Sequence, residues 1–244
     1  MNAQKPEVLV VIPARGGSRT IPRKNLALVA GRPLIAWTIE TALKASSVTR
    51  VVVSTDDQQI ADISKELGAE VPFLRPANLA GADSPTSDAI THAVDWLREQ
   101  ERYVPDYVVV LQPTSPLRVP SDVDRSIALA KSIDAVGVVS VSPSKQHPYW
   151  TFSVAETGQL VSLPFSDTSF SRRQDLPPTF ILNGAIYVVK TEVLSATRSI
   201  VPAGAVAYVM PEERSLDINT KWELRIADLI LRDTTPASSV KVLG

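Results

Sequence analysis

VLVVIPARGGSR, residues 8–19, is the stretch of the sequence that decides the fold. Its first part, Val8–Pro13, is a continuous apolar, largely β-branched run that stops at a proline, which predicts a strand buried on both faces. The pair Gly16-Gly17 lets the main chain turn sharply and point N–H groups at an anion. A buried strand followed by such a turn is typical of α/β proteins, which bind ligands at the carboxyl ends of their strands.

Positive charge collects around this turn. No acidic residue lies between Glu7 and Glu40, whereas the same stretch holds Arg15, Arg19, Arg23, Lys24 and Arg32. Arginine can grip a phosphate with two parallel hydrogen bonds, and lysine supplies a mobile point charge. We therefore expect an anion site here, with a solvated basic surface as the alternative. The net charge of the whole chain is −1, so we expect no nucleic-acid partner.

Several well-known site motifs are missing from the sequence. It contains neither G-x-G-x-x-G nor G-x-x-x-x-G-K-[ST], and Thr20 stands where a nucleophile elbow around Ser18 would need glycine. The chain has no cysteine, which excludes disulfides, thiolate zinc sites and cysteine nucleophiles. With only His92 and His147 as histidines, a zinc mechanism is also disfavoured.

Apolar periodicity predicts strands that alternate with helices. The strands are expected at 8–13, 50–54, 107–111, 134–141, 180–189 and 205–210, and the helices at 33–46, 58–67, 84–101, from 121 and from 220. This alternation predicts a three-layer, Rossmann-like α/β fold, in which helices cover both faces of a mostly parallel twisted sheet. We expect a single domain over residues 1–244, because that length suffices for one substantial core.

Three helix starts carry capping signals. Ser84 is expected to cap a helix with Pro85 at its first position. Two further pairs have the spacing of a capping box, namely Ser121 with Asp124 and Thr220 with Glu223.

The alternation breaks at about 143–178, a stretch that holds five prolines and a predicted strand at 150–154. A structureless insertion of this length is unusual inside a compact domain. We therefore expect an arm that packs on a second subunit, which makes the protein a homodimer.

The sequence near the amino terminus predicts neither a membrane span nor a cleavable signal. Its longest apolar run covers residues 8–12, far short of the ~20 residues that a span needs. Together with the lack of cysteine, this makes a cytoplasmic protein with no membrane partner the expectation.

Six segments resemble the acylneuraminate cytidylyltransferases, also called CMP-sialic acid synthetases. They are IPARGGSRTIPRKNL (12–26), STDD (54–57), LQPTSPLR (111–118), RQDLP (173–177), NGAIY (183–187) and SLDI (215–218). Each is weak alone, but all six occur in family order over nearly the whole chain. The resemblance implies a nucleotidyltransferase fold with a dimerisation arm. It also implies an N-acylneuraminate cytidylyltransferase-type enzyme that uses CTP and Mg²⁺ to give a CMP-sugar and pyrophosphate from a nine-carbon α-keto acid.

The resemblance also implies roles for the matching residues. Nucleotide binding is implied for Arg15, Gly16, Gly17, Ser18, Lys24, Asn25, Thr86 and Ser87. Sugar binding is implied for Gln112, Arg173, Asn183 and Tyr187, with Arg173 reaching the neighbouring subunit from the arm. The implied catalytic residues are Arg15, Lys24 and Asp217, and the implied Mg²⁺ ligands are Asp217 and Asn219. Such residues suit phosphoryl transfer, which needs positioning and charge stabilisation more than covalent help.

Two positions depart from the family pattern. The family usually has Lys-Gly after Gly-Gly-Ser, whereas this chain has Arg19-Thr20, and β-branched threonine tolerates positive φ poorly. The second metal aspartate is Asn219, whose amide oxygen coordinates without adding charge. This substitution weakens a two-metal arrangement.

Other interpretations stay open from the sequence. Asp217 could complement the amino-terminal end of the last helix, and helix capping is the favoured role for Asp56 and Asp57. The acceptor could be an eight-carbon keto acid or a sugar phosphate. The chain could also be a nucleotide-sugar binding module that has lost turnover, an idea that Asn219 supports.

Overall fold

The computed structural model describes residues 6–167, 169 and 172–234. Within these ranges the strands are β1 (Val8–Pro13), β2 (Leu28–Val29), β3 (Arg32–Pro33), β4 (Arg50–Ser54), β5 (Tyr107–Val110), β6 (Gly137–Pro143), β7 (Phe152–Val154), β8 (Leu160–Ser162), β9 (Phe180–Lys190) and β10 (Val206–Val209). The helices are α1 (Leu34–Lys44), α2 (Gln58–Glu66), α3 (Thr86–Glu101), α4 (Pro120–Ser132), α5 (Thr191–Thr197) and α6 (Lys221–Thr234). In the same ranges, no helix combines the length and apolar character that crossing a bilayer requires.

A six-stranded sheet with the order β10-β6-β9-β5-β1-β4 forms the centre of the molecule. Strand β1 runs parallel to β4 and to β5, and β10 runs parallel to β6. Strand β9 lies antiparallel between β5 and β6 and joins the two parallel groups. The prediction of a mostly parallel sheet with helices on both faces is confirmed, and the reversed β9 is an addition to it.

Successive residues of β1 point into two different cores, as its continuous apolar run predicts. Val10 and Ile12 pack in one core with Ile39 of α1. Leu9 and Val11 pack in the other, on the α3 side. Because both faces of the sheet are buried, a continuous apolar run is more favourable here than an alternating one.

The predicted helix starts are right in part. The capping box of Thr220 and Glu223 is confirmed, because Thr220 N donates to Glu223 Oε2 at 2.7 Å and Glu223 N donates to Thr220 Oγ1 at 3.2 Å. Asp57 caps α2 by accepting a 3.0 Å hydrogen bond from Ile60 N. The cap predicted for Ser84 is wrong, since α3 begins at Thr86 and Ser84 Oγ donates to the carbonyl oxygen of Asn78.

The capping box predicted for Ser121 and Asp124 is also wrong. Helix α4 begins earlier, and Asp122 accepts the hydrogen bond from Val119 N at 3.1 Å. The Asp124 carboxylate instead accepts a 2.8 Å hydrogen bond from Ser47 N and thereby fixes the turn after α1. A local spacing rule could not separate these two aspartates, because the choice depends on a contact across the fold.

The segment 143–178 connects the end of β6 to the start of β9. It leaves the sheet at the last residue pair of these two strands, Pro143 and Phe180. It contains the antiparallel hairpin β7–β8, so it is not structureless, and its first strand is shorter than the predicted 150–154. Apolar side chains on it are exposed, among them Val154, Leu160 and Phe165. Packing of this arm on a second subunit stays a prediction.

Candidate active site

A cleft of about 340 Å³ opens at the carboxyl end of β1. Its walls come from the loop after β1, the start of α3, the segment after β5 and the segment before α6. The predicted site residues that line it are Arg15, Gly17, Ser18, Lys24, Asn25, Thr86, Gln112, Asp217 and Asn219. Residues far apart in the chain thus meet at the edge of the sheet where α/β folds bind ligands.

Side chains from neighbouring loops hold the glycine turn after β1. Gly16 N donates to Asp56 Oδ1 at 2.9 Å, and Asn25 Nδ2 donates to the carbonyl oxygen of Arg15, also at 2.9 Å. A Cβ at Gly16 would lie 2.8 Å from Asp57 Oδ2, whereas one at Gly17 would meet no atom within 4 Å. The Gly16 amide therefore fixes the turn through Asp56, and Gly17 presents open backbone to the cleft.

The departure at Arg19-Thr20 does not place Thr20 at positive φ. The positive φ of this loop falls on Arg23, at 51°, and Arg23 pairs with Asp57 at 2.9 Å. Arg19 points outward and forms an exposed ion pair with Asp83 at 2.6 Å. Thr20 therefore does not have to adopt the left-handed conformation that its β-branch disfavours.

Lys24 connects this loop to the segment that carries Asp217. Its half-buried ammonium donates to the carbonyl oxygen of Ile218 at 2.9 Å. Burial lowers the pKa of Lys24, the nearby Asp217 carboxylate opposes this effect, and the positive charge of Arg15 adds to it. Arg15 itself is anchored by a 2.6 Å hydrogen bond from Nη1 to the carbonyl oxygen of Gly81. Two cations therefore face one cleft, which favours an anionic ligand.

Asp217 has one oxygen that nothing in the described part of the chain satisfies. Its Oδ2 accepts a 2.8 Å hydrogen bond from Asn219 Nδ2, whereas its buried Oδ1 has no partner among the described residues. An oxygen ligand set of this kind fits Mg²⁺. Across the described ranges, no three His, Cys, Asp or Glu side chains cluster as a metal site. A Mg²⁺ ion here would therefore need further oxygens from a bound ligand or from water.

Gln112 lies directly against β9. Gly184 has a φ of 71°, and a Cβ on it would lie 2.8 Å from Gln112 Oε1 and 3.3 Å from Ser115 Oγ. Glycine is required here both by the backbone conformation and by the space that Gln112 occupies. The Asn183-Gly184 pair is therefore part of a strand, as the flanking apolar residues indicate, and not merely a turn.

Asn183 is buried, and its amide is fully used by the protein. It sits where the register between β6 and β9 shifts. Its Oδ1 accepts from Ser140 Oγ (2.6 Å) and Ala185 N (3.2 Å), and its Nδ2 donates to Ser215 Oγ (3.0 Å) and Met210 Sδ (3.4 Å). An amide offers two donors and two acceptor sites, so none is left for a sugar in this arrangement. Asn183 shapes the site by holding the irregular part of β9.

The remaining predicted residues lie outside the lining of the cleft. Tyr187 is buried in β9, and burial together with the negative charge of Asp217 raises its pKa. The main-chain carbonyl of Ser87 accepts a hydrogen bond from Thr91 within α3. Arg173 is exposed on the arm, in a short 3-10 helix, and does not enter the cleft of its own chain.

Two buried arginines, one in the lining of the cleft and one bonded to the main chain of Gln112, have no local sequence signal of their own. Arg75 is buried, lines the cleft, and donates from Nε to Ser54 Oγ at 3.0 Å and from Nη2 to the Ser54 carbonyl oxygen. Burial lowers the pKa of Arg75 to about 10, although Asp56 opposes the shift. Arg118 closes the LQPTSPLR motif and is also buried. A single basic residue in a loop has no periodicity to mark it, although Arg118 could have been noticed as part of a quoted motif.

Comparisons with known proteins identify similar sequences over most of the chain. The sequence profile described as Cytidylyltransferase matches residues 9–179. CMP-N,N'-diacetyllegionaminic acid synthase of Legionella pneumophila is 36% identical over 228 residues, which are 92% of this chain and 96% of that protein. N-acylneuraminate cytidylyltransferase of Streptococcus agalactiae is 32% identical over 215 residues, which are 87% of this chain but only 50% of that longer protein.

Solved structures share the fold. The structure of CMP:2-keto-3-deoxy-manno-octonic acid synthetase complexed with CTP has a TM-score of 0.70 to this chain at 18% identity. The match covers 94% of this chain and 100% of that one. At this identity the likeness concerns the fold.

Proposed function

The chain belongs to the cytidylyltransferase family that includes the CMP-sialic acid synthetases, and on this premise we propose that it transfers CMP from CTP to a nine-carbon α-keto acid sugar. The products are the CMP-sugar and pyrophosphate. The observation that carries the proposal is the meeting of Arg15, Lys24 and Asp217 around one cleft. Two cations facing a carboxylate that has a free oxygen suit a triphosphate bound together with a divalent cation.

The nucleotide occupies the side of the cleft that the glycine turn forms. Arg15 and Lys24 bind phosphate oxygens, and Ser18 adds a hydroxyl donor. Helix α3 begins at Thr86, which lines the same cleft, so the partial positive charge of its amino-terminal end also faces the phosphates. Arg75 lines the inner wall and holds the strand end at Ser54 in place.

Asp217 and Asn219 would hold Mg²⁺, and both line the cleft. The Oδ1 of Asp217 has no hydrogen-bond partner among the described residues, and this observation fits such an ion. When bound, Mg²⁺ neutralises negative charge on the phosphate oxygens. Asn219 orients the carboxylate by donating to the other oxygen, Oδ2.

The acid sugar occupies the side toward the arm. A second cleft of about 700 Å³ shares Asp217 and Asn219 with the first and extends past Lys145 and Leu182 to the base of the arm. Gln112 lines the first cleft, and its Oε1 lies beside Gly184 as Asp217 Oδ1 does, so it stands next to the carboxylate that the two clefts share and can face the sugar. In this arrangement the sugar's anomeric hydroxyl approaches the α-phosphate near Asp217.

The reaction is an in-line displacement at the α-phosphorus. The anomeric oxygen forms the new P–O bond, the bond to the β-phosphate breaks, and the hydroxyl proton passes to solvent. Negative charge grows on the leaving pyrophosphate, where Lys24 and Arg15 stabilise it. Little covalent chemistry is asked of the protein, so geometry and charge account for the catalysis.

The test is pyrophosphate release, with mass spectrometry of the product. CTP is offered with N,N'-diacetyllegionaminic, N-acetylneuraminic, pseudaminic and deaminated nine-carbon acids, with an eight-carbon keto acid, and with a sugar phosphate. We expect a CMP-linked product from at least one nine-carbon acid. A preference for the eight-carbon acid, for a sugar phosphate or for GTP would contradict the proposal. Binding of CTP without pyrophosphate release at saturating Mg²⁺ would favour a binding module without turnover.

A further inference from the structure

Arg118 is a buried cation that touches no carboxylate in the described part of the chain. Its side chain is almost fully buried at the end of the segment between β5 and α4, and burial lowers its pKa to about 9. Nη2 donates to the main-chain oxygen of Gln112, and Nη1 donates to Thr38 Oγ1 at 3.1 Å. Its Nε has no hydrogen-bond partner among the described residues. Removing a guanidinium from water is costly without a partner charge, so this placement needs an explanation.

The negative charges of Asp217 and Asp122 oppose the lowering of the Arg118 pKa, and neither carboxylate forms an ion pair with Arg118 among the described residues. Asp122 already accepts two hydrogen bonds from Arg214, at 2.8 and 2.9 Å, and another from Tyr208 at 3.1 Å. Asp217 differs, because its buried Oδ1 accepts no hydrogen bond from the described residues. The charge of Arg118 therefore acts on Asp217 without a hydrogen bond to its Oδ1.

Arg118 also clamps the segment from 112 to 118 onto α1. Thr38, its partner there, is fully buried, and the main-chain oxygen of Arg118 accepts a 3.4 Å hydrogen bond from Thr41 Oγ1 in the next turn of the helix. The other end of the clamp is the carbonyl group of Gln112, whose side chain lines the cleft. One guanidinium thus connects α1 to the residue that faces the sugar.

We propose that Arg118 is a positioning residue for the acid sugar: it fixes Gln112 through the main chain and balances the charge of Asp217 without occupying its free oxygen. This inference rests on the proposed function. An arginine in direct contact with Asp217 would compete with a metal ion for that oxygen. The guanidinium instead bonds to Gln112 and Thr38, so it holds these two residues in place while its positive charge still acts on Asp217. A planar guanidinium can donate in both directions at once, whereas a lysine ammonium is a single point charge.

Arg118→Lys is the first test, because it keeps the positive charge but cannot bond to Thr38 and to the Gln112 carbonyl group at the same time. We expect the KM for the best acid of the panel to rise about tenfold, the effect of one lost positioning hydrogen bond. The KM for CTP should stay within about twofold of the wild-type value, because the residues that contact CTP are unchanged. For the same reason, the rise in thermal midpoint on adding Mg²⁺ and CTP should stay within about 1 °C of the wild-type rise. Thr38→Val removes only the α1 end of the clamp, so it should raise the same KM by about threefold.

Ile127→Val is the matched control. Ile127 is fully buried in α4 and belongs to the core on one face of the sheet. Its truncation to valine lowers the stability of the protein, as Arg118→Lys also does, but it leaves the hydrogen bonds of Arg118 intact. Both KM values should be unchanged in this variant. The proposal is overturned if Arg118→Lys loses stability with an unchanged sugar KM, or if both KM values rise equally.

A crystal structure of Arg118→Lys gives a second readout that does not depend on turnover. The proposal expects the Gln112 main chain and side chain to move by about 1 Å, a displacement large enough to matter for positioning. An unmoved Gln112 overturns the proposal. If the wild-type chain releases no pyrophosphate with any acid sugar, the proposed function is wrong. The crystal structure of Arg118→Lys would even then show whether Arg118 positions Gln112.

Discussion

Lys24 is held by a carbonyl group and not by a carboxylate, so its charge remains available to a ligand. Its side chain contributes to the rate only if the ammonium faces the leaving pyrophosphate. Lys24→Ala should therefore lower kcat by about 10²–10³, the usual effect of removing one preorganised charge-stabilising donor. The measurement is steady-state pyrophosphate release at saturating CTP and sugar.

Arg19→Ala is the control for Lys24, because Arg19 belongs to the same loop but forms an exposed pair outside the cleft lining. Its kcat should stay within about twofold of wild type, since exposed ion pairs contribute little. An unchanged kcat in Lys24→Ala would remove Lys24 from the reaction.

Asn219→Asp tests why this chain carries an amide beside Asp217. The substitution replaces the 2.8 Å hydrogen bond with two facing carboxylates. Without Mg²⁺ the thermal midpoint should fall by about 2–4 °C, because like charges repel at about 1 kcal/mol. With Mg²⁺ it should recover, and the Mg²⁺ concentration for half-maximal rate should fall severalfold. Asn219→Ala loses the hydrogen bond without adding charge, so it should not lower that concentration. A Mg²⁺ profile unchanged in Asn219→Asp would mean that other ligands already complete the ion's shell.

Within β9, Gly184 can be substituted to test whether side-chain crowding against Gln112 matters in addition to backbone strain. Gly184→Ala forces a side chain into positive φ and also against Gln112 Oε1. Gly158, in the β7–β8 hairpin, has a φ of 83° and open space around it, so Gly158→Ala carries the strain alone. Gly158→Ala should lose about 1 kcal/mol of stability, and Gly184→Ala should lose at least as much. Only Gly184→Ala should also raise the sugar KM, by about tenfold. Equal kinetics in the two variants would show that Gln112 is not held by β9.

Asp122 ties α4 to the segment that precedes Asp217. Burial alone would raise its pKa, but hydrogen bonds from Arg214, Val119 N and Tyr208 leave the pKa below the ordinary 3.8. Asp122→Asn should therefore cost about 2–3 kcal/mol in free energy of unfolding near pH 7, because it leaves Arg214 without its partner.

The pH dependence of this loss follows from the direction of the shift. The folded pKa of Asp122 lies below the unfolded value, so its stabilisation is complete above about pH 3.8 and is lost as the pH falls through the folded pKa. Urea unfolding of wild type and Asp122→Asn should give a constant difference from pH 7 to about pH 5 that shrinks below pH 3.8. A difference that grows toward acid pH would contradict this account.

For the whole molecule, the prediction concerns the arm, which the proposed function expects to complete the site of a second subunit. Arg173 lies on the arm and outside the cleft of its own chain. If the protein is a symmetric dimer, one subunit's Arg173 reaches the partner's cleft. A mixture of Arg173→Ala and Lys24→Ala chains should then regain about a quarter of wild-type activity, since half of the dimers are mixed and each has one intact site. Activity no higher than that of the separate variants, with mixed dimers confirmed by native mass spectrometry, would place Arg173 in its own subunit's site.

The sequence by itself determined most of the elements, and the glycine turn with its cations at the cleft. The apolar run of β1, the glycine pair and the capping box at Thr220 depend on neighbours within a few residues, so their outcome could be derived from local chemistry. The cations Arg15 and Lys24 were indicated by the local charge pattern and by the family resemblance, whereas Asp217 was indicated by the resemblance alone.

Only the tertiary structure decided the direction of β9, the clamp of Arg118 and the full use of the Asn183 amide. Each depends on partners distant in sequence: Arg118 meets Thr38 across 80 residues, and Lys24 meets Ile218 across 194. Strand direction and the burial of a charge are set by the free energy of the assembled sheet, in which a polar group is tolerated only where a distant segment supplies its partner. No spacing along the chain records which segment that will be.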